Sequence, residues 1–361
     1  VSATDPADLA ACRGPLVITP HPGEASRLLD RPVPGDDAGR KAAAQELART
    51  TGSICVLKGA GTVISDGEVV FRNGTGNAGM ATAGSGDVLA GILAGRGELD
   101  PEALVTAYVP EVAGTAYAGA RLRDLLDMRA GVLFDEDYLA TEGPIIEYRK
   151  ATLWEPLAPG QAPSDLRAFY ATLTGRDGEH GRPFHYISIN TDLLGWAIER
   201  ATGRRYADLL SELLWRPMGA ERSAYITVDR LGAPRCAGGL CCTARDLARL
   251  GLLFVEGGCG VVPEGWLDDI ETGGDRQAWA QGVAAENYPH LPMRYRSQWY
   301  VLERAAPMAF AIGVFGQSLY VDRVNGLVVA KFSSQALPID QAKKMLTIRA
   351  AEAVRDFLGE G

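Results

Sequence analysis

Apolar residues recur along this chain in two rhythms, and the switches between them mark out its elements. Residues 15–18 (Pro-Leu-Val-Ile) form a short apolar run that reads as a buried strand ending at Thr19-Pro20-His21-Pro22. Between residues 40 and 51, Ala43 and Leu47, then Ala44 and Ala48, recur four apart, which predicts a helix with Gly52 just past its end. Ile54 to Leu57 reads as the next strand. Thr62 to Ser65 and Glu68 to Phe71 flank Asp66-Gly67, the signature of a two-residue hairpin.

Further on, Leu194, Ala197, Ile198 and Ala201 make one helical stripe that ends at Gly203. Thr243 followed by Asp246 predicts a capped helix start, with the helix ending before Gly257. Phe310–Phe315 and Leu327–Phe332 read as antiparallel strands. A closing helix is expected over Pro338–Leu358, with Leu346, Ala350, Val354 and Phe357 facing inward. Residues 156–183 hold four prolines and four glycines and read as a surface loop.

A chain of 361 residues has room for about two domains. Its 47% apolar and 22% charged content is that of an ordinary globular protein. A net charge of −9 argues against nucleic acid or a membrane surface as partner. No apolar run approaches the roughly 20 residues of a membrane helix. No basic segment followed by an apolar core opens the chain, so the expected context is cytoplasmic, and the Val at position 1 is consistent with a trimmed chain. The six cysteines form no C-x-x-C pair, and with only four histidines no metal constellation emerges; the cysteines are expected to be small buried residues.

Chemistry concentrates between Asn73 and Gly97. Gly84, Ser85 and Gly86 can bring backbone N–H groups close to an anion, and the small-residue helix beginning near Asp87 points its positive end at the same place. Asp87 stands where a carboxylate could take a proton from a hydroxyl attacking a phosphate. Lys58, at the end of a strand and followed by Gly59-Ala60-Gly61-Thr62, offers a point charge and accessible amides to a polyphosphate.

These residues carry a family resemblance. Thr19 to Glu24 (TPHPGE), Lys58 to Thr62 (KGAGT) and Gly79 to Asp87 (GMATAGSGD) resemble, in order, motifs of the ADP-dependent NAD(P)H-hydrate dehydratases, which have a ribokinase-like fold. The resemblance implies that Lys58, Gly59, Ala60, Gly61, Thr62, Asn77, Gly84, Ser85 and Gly86 line a site for ADP or ATP, with Mg2+ as a candidate companion ion. It further implies that His21 and Asp87 lie at the hydrated nicotinamide of NAD(P)H hydrate and that Asp87 acts as base. It covers roughly the first 95 residues, the C-terminal half of such a domain. Weak nucleotide binding is therefore expected, with an exposed sheet edge that an oligomer could cover.

From Gly91 onward the text is similar to another family, the β-lactamase-related serine hydrolases near the 6-aminohexanoate-dimer hydrolases and esterases. Leu122 to Tyr138, Phe184 to Gly203, Leu213 to Asp229, Gly238 to Gly251 and Gly313 to Asp322 carry this resemblance. It implies a serine nucleophile three residues before a lysine, on one helical face. The lysines stand at 41, 58, 150, 331, 343 and 344, and three residues before them are Ala38, Cys55, Glu147, Val328, Asp340 and Gln341. None is Ser or Thr. Cys55 and Lys58 mimic the spacing, but in a strand i and i+3 face opposite sides. Tyr186 matches the family's acid/base tyrosine, with Ser188 where many relatives have Asn, and without a serine to serve it is expected to be idle.

The expected architecture is therefore α/β plus α+β: a partial ribokinase-like module over residues 1–97 joined to a truncated β-lactamase-like module over 98–361. The first expectation for function is an ADP- or ATP-dependent hydrate dehydratase, a carbon–oxygen lyase, fused to an inactive hydrolase-like domain. A β-lactamase-related amide or ester hydrolase and a chimera without activity are the alternatives.

Overall fold

The structure, a computed structural model, describes residue 9 and residues 16–20, 22–58, 62–72, 85–157 and 160–359, the side chains of 85–87 and 359 excepted. The chain divides into two compact units, Val1–Ala78 and Gly79–Gly361.

In the first unit, β1 (Val17–Ile18), α1 (Pro22–Leu28), α2 (Asp37–Thr51), β2 (Ile54–Leu57), β3 (Val63–Ser65) and β4 (Val70–Arg72) follow in order. The four strands are neighbours in sequence order, β1 parallel to β2 and the others antiparallel. Helix α2 forms where its alanine and leucine spacing predicts. Asp36 starts it by accepting the Gly39 N–H at 2.7 Å, and Gly52 ends it at φ 60°, where a residue without Cβ is least strained. Ala43, Ala44, Leu47 and Ala48 pack with Ile18, Cys55, Leu57 and Val63 into a small core.

Two expectations are corrected here. Val17 is exposed, so the run at 15–18 is buried at Ile18 only among its strand residues. The hairpin has a four-residue loop, because Ser65 pairs with Val70. Asp66 folds over this loop, its carboxylate accepting the amides of Glu68 and Val69 at 2.9 and 2.8 Å.

The second unit opens with α3 (Ser85–Gly95). Val88, Leu89, Ala90, Ile92 and Leu93 join its main core, so the small-residue helix packs on this side of the division at residue 78. Gly91 explains the small residues: a Cβ there would sit 2.5 Å from the Trp266 ring. Other helices include α4 (Pro144–Ala151), α5 (Leu166–Tyr170), α6 (Ser188–Thr202), α7 (Ala244–Val255), α8 (Glu264–Thr272) and α9 (Gln341–Gly359). The sheet is an antiparallel meander, β5 (Met293–Arg296), β6 (Trp299–Leu302), β7 (Met308–Gly313), β8 (Gln317–Asp322) and β9 (Leu327–Lys331).

Alternation along the strands gives the sheet two buried faces. Val301, Ala309, Ala311, Leu319 and Val321 enter the main core with Leu250 and Phe254 of α7. Met308, Phe310 and Tyr320 enter a second core with Ile348 and Ala351 of α9. On that second face the ring pairs Tyr300–Phe310 and Phe310–Tyr320 stack at 5.3 and 5.2 Å across three strands.

Three sequence expectations change in this unit. In α9, Leu346, Val354 and Phe357 are 59%, 45% and 77% exposed, and Ala350 is exposed too. The inward face is instead Ile348 and Ala351, because polar Lys344 and Thr347 occupy positions on the same side that front a cleft. Strands β7 and β9 are not partners, since β8 lies between them, and β7 stops at Gly313. Within residues 156–183, α5 is a short helix capped by Asp165, with Phe169 and Tyr170 buried; the prolines and glycines surround this apolar segment. Of the described cysteines, 55, 236 and 241 are buried as expected, while Cys259 is exposed.

Candidate functional site

In the first unit the two motifs nearest the sheet leave the same end of a parallel pair. β1 delivers Thr19-Pro20 and β2 delivers Lys58, whose N–H donates to the Pro20 carbonyl at 2.8 Å. Lys58 is exposed and Cys55 fully buried, so the two do face opposite sides of the strand. Burial pushes the Cys55 thiol up to about 11. Thr62 lies just before β3. His21, Gly59, Ala60, Gly61, Asn77 and Gly84 lie outside the described residues, and Ser85, Gly86 and Asp87 are described only as the first backbone turn of α3.

The second unit holds a cleft of ≈ 140 Å³ between the aromatic face of the sheet and α9. A cavity of about 150 Å³ holds a benzene-sized molecule. Its wall includes Tyr186 and Ser188 from the start of α6, Tyr300 and Tyr320 from the sheet, Arg235, and Lys344 from α9. The turn from β7 to β8 shapes one rim. Phe315 sits there at φ 59°, a left-handed conformation costing about 1–2 kcal/mol for a residue with a side chain. Its N–H donates to the Pro338 carbonyl at 2.8 Å and its carbonyl accepts the Gln335 amide at 3.1 Å, which fixes the turn.

Helix α6 is the element that positions the rest. Its residues Ser188 to Ile198 are all buried, more than the single stripe read from the sequence. Its buried Asn190 and Asp192 are partnered inside the protein: Asn190 accepts the Tyr117 hydroxyl at 2.8 Å. Asp192 accepts the Tyr148 hydroxyl at 2.6 Å, Arg235 Nη1 at 2.7 Å and the Ala237 amide at 2.8 Å. Arg235 lies over the rings of Tyr148 and Trp154 at 4.6 and 4.8 Å.

At the first turn of α6, Glu136 takes the place of a capping side chain. It accepts both the N–H and the hydroxyl of Ser188, and the Tyr138 hydroxyl at 2.5 Å. Burial raises the Glu136 carboxyl despite these bonds. Burial and the Glu136 charge push the Tyr186 phenol well up, while Arg235 and the Ser188 hydroxyl pull the other way. Both act to keep the Tyr186 proton in place at neutral pH.

Two further lysines reach the cleft. Lys331 Nζ donates to the Gly316 carbonyl at 2.7 Å, and burial lowers its pKa. Lys344 Nζ lies 4.3 Å from the Tyr288 ring centroid, and burial brings its ammonium down to about 8. Among the described residues no cluster of His, Cys, Asp and Glu could hold a metal ion, and no helix is long and apolar enough to cross a membrane.

Sequence reasoning found Tyr186 and Ser188, which the structure brings together in this cleft. It missed Glu136, Arg235, Lys331 and Lys344. Glu136 lay inside a quoted stretch, where an acid beside two aromatics was a usable hint. Lys344 stands between exposed Lys343 and partly buried Met345, and no local signal marked it.

The beta-lactamase family model matches residues 88–353 and the NAD(P)H-hydrate dehydratase family model matches residues 2–121, so the α3 segment from Val88 is shared. The 6-aminohexanoate-dimer hydrolase of Paenarthrobacter ureafaciens is 38% identical over 248 residues, 68% of this chain and 62% of its own length. The bifunctional NAD(P)H-hydrate repair enzyme Nnr of Moorella thermoacetica is 48% identical over 140 residues, 37% of this chain and 26% of its own. The chain thus spans less than two thirds of either relative. A solved structure from Bacillus anthracis, assigned to 6-aminohexanoate-dimer hydrolase, superposes with a TM-score of 0.66 over 81% of this chain and 79% of its own, at 23% identity, a likeness of fold.

Proposed function

The chain belongs to the beta-lactamase family, joined to a ribokinase-like NAD(P)H-hydrate dehydratase region, and on that premise we propose that its hydrolase-type cleft binds a ligand without acylating. One observation carries this reading. None of the six lysines has Ser or Thr three residues before it, so the nucleophile–base pair on one helical face cannot form. The acid/base side of the site is nevertheless assembled around Tyr186, which keeps its proton and has no serine of that type to serve.

For the other region we infer an ADP- or ATP-using hydrate dehydratase activity. The hydrate hydroxyl would be phosphorylated by the nucleotide and lost as phosphate, Asp87 taking the hydroxyl proton and His21 lying at the nicotinamide. Lys58 and the amides of Gly84 to Gly86 would hold the phosphates, with Mg2+ a candidate. The order of three motifs and the family match over residues 2–121 support this.

A second reading rests on Ser188, whose hydroxyl donates to a carboxylate with a raised pKa. That pair could serve an amide or ester hydrolase. It is the weaker reading, because Glu136 is already occupied by the Ser188 amide and the Tyr138 hydroxyl. A fluorophosphonate probe separates the two. The proposal expects no stoichiometric serine labelling and no burst on short nitrophenyl esters; labelling abolished by Ser188→Ala would establish the second reading in its place.

A further inference from the structure

The cleft contains a charge that no carboxylate among the described residues pairs with. Lys344 Nζ rests on the Tyr288 ring at 4.3 Å, and among the described residues no carboxylate lies within ion-pair distance of it. Asp340, one turn earlier on the same wall, is engaged by Lys343 at 3.0 Å. Across the cleft, Lys331 is held by the Gly316 carbonyl, which has no net charge to offer. Arg235 has Asp192 at 2.7 Å, yet its buried Nε has no hydrogen-bond partner. A half-buried ammonium with no paired anion is a ready partner for an anion that a ligand brings. Around these cations the wall is aromatic: Tyr288, Tyr300 and Tyr320.

We propose that this cleft is a carboxylate site, with Lys344 as its charge anchor and the tyrosine rings as its apolar wall, taking a small aromatic or short aliphatic monocarboxylate. The ligand must be small because the cavity is ≈ 140 Å³. One negative charge suffices for Lys344, the cleft cation with neither an anion nor a hydrogen-bonded carbonyl among the described residues. The lowered Lys344 pKa agrees with this placement, since an amine stripped of water and given no anion holds its proton weakly. The inference rests on the reading of the cleft as a binding site that does not acylate.

The test titrates sodium benzoate and the neutral isostere benzamide into the full chain, as wild type, Lys344→Met and Lys344→Arg. Wild type and Lys344→Arg should prefer benzoate by about tenfold or more, the size expected for one charge-assisted contact. Lys344→Met should bind both alike. Equal affinity for the two probes in wild type, or an unchanged preference in a folded Lys344→Met, overturns the proposal. Trinitrobenzenesulfonate labelling of the wild-type protein gives a readout that needs no variant. At pH 7.5 an amine of pKa about 8 has a free-base fraction roughly two hundredfold above that of an ordinary lysine. Lys344 should therefore label first among the lysines and be protected by benzoate but not by benzamide; no protection counts against the site. Serine labelling by a fluorophosphonate would defeat the non-acylating reading, and neither benzoate measurement depends on it.

Discussion

The two units of this chain carry their chemistry in opposite ways. Val1–Ala78 is dense in local motifs and sparse in core: among its described residues a core cluster of ten, half of them alanine or cysteine, lies beneath strands of two to four residues. Ile54, Val69 and Phe71 remain exposed. Gly79–Gly361 has no local nucleophile motif, yet it packs two cores on the faces of a five-stranded sheet and buries ions inside them. A phosphate loop needs only glycine and a few consecutive amides, so the Lys58–Thr62 motif is legible in five residues and says little about the stability beneath it. The cleft needs side chains from positions 138, 186, 235, 300 and 344 held to a common geometry, which only an extensive core provides.

The sharpest way to break the comparison is to break the ion pair that holds α6. Asp192 is buried with three partnered contacts, its Arg235 pair among them, and Asp192→Ala would leave the Arg235 guanidinium buried and unpaired. Removing one partner of a buried pair costs about 3–5 kcal/mol. Urea unfolding followed by tryptophan fluorescence should show a loss of that size. A shift under about 1 kcal/mol would mean that the second unit does not depend on its buried ions.

A smaller effect tests the first unit. Lys58 is exposed at the carboxyl end of β2, where a phosphate contact adds affinity without structural support. Calorimetric titration of ADP should give heats in wild type, and Lys58→Ala should weaken binding about tenfold or more, as expected for one charge-assisted contact. Denaturation should be unchanged, because the side chain is exposed. Equal heats in both proteins would remove Lys58 from the nucleotide site.

What the sequence made legible follows the same division. Elements with their own punctuation were read to within a few residues: α2 between Asp36 and Gly52, α6 ending at Gly203, and α7 starting at Thr243. The hairpin at Asp66-Gly67 was recognised as a turn but given the wrong length, because the Asp66 carboxylate reaches two amides and stabilises a longer loop. The face of α9 was misread because periodicity cannot tell an apolar stripe that packs from one that stays in water. Its inward side includes Lys344 and Thr347, which a hydrophobic pattern assigns outward. Tyr186 was legible through its resemblance to a family motif. Glu136, about fifty residues earlier, meets Ser188 only after folding, and no spacing rule connects them.

The smallest effect compares one interaction in both units. Each unit starts a helix with a side chain that accepts an amide three residues on: Asp36 from Gly39 at 2.7 Å, and Thr243 from Asp246 at 3.1 Å. Replacing such a cap by alanine costs about 0.5–2 kcal/mol. Asp36 is exposed and makes this contact at the surface, so Asp36→Ala belongs at the low end. Thr243 also donates to the Asp246 carboxylate at 2.8 Å, and that carboxylate accepts the Glu221 and Arg222 amides. Thr243→Ala should therefore disturb a connected network and sit at the high end. Native-state hydrogen exchange read at the amides of α2 and α7 gives both values in one experiment per variant. If the surface cap proves worth as much as the networked one, local capping rather than the surrounding core sets helix stability in this chain, and the contrast between its two units fails at that level.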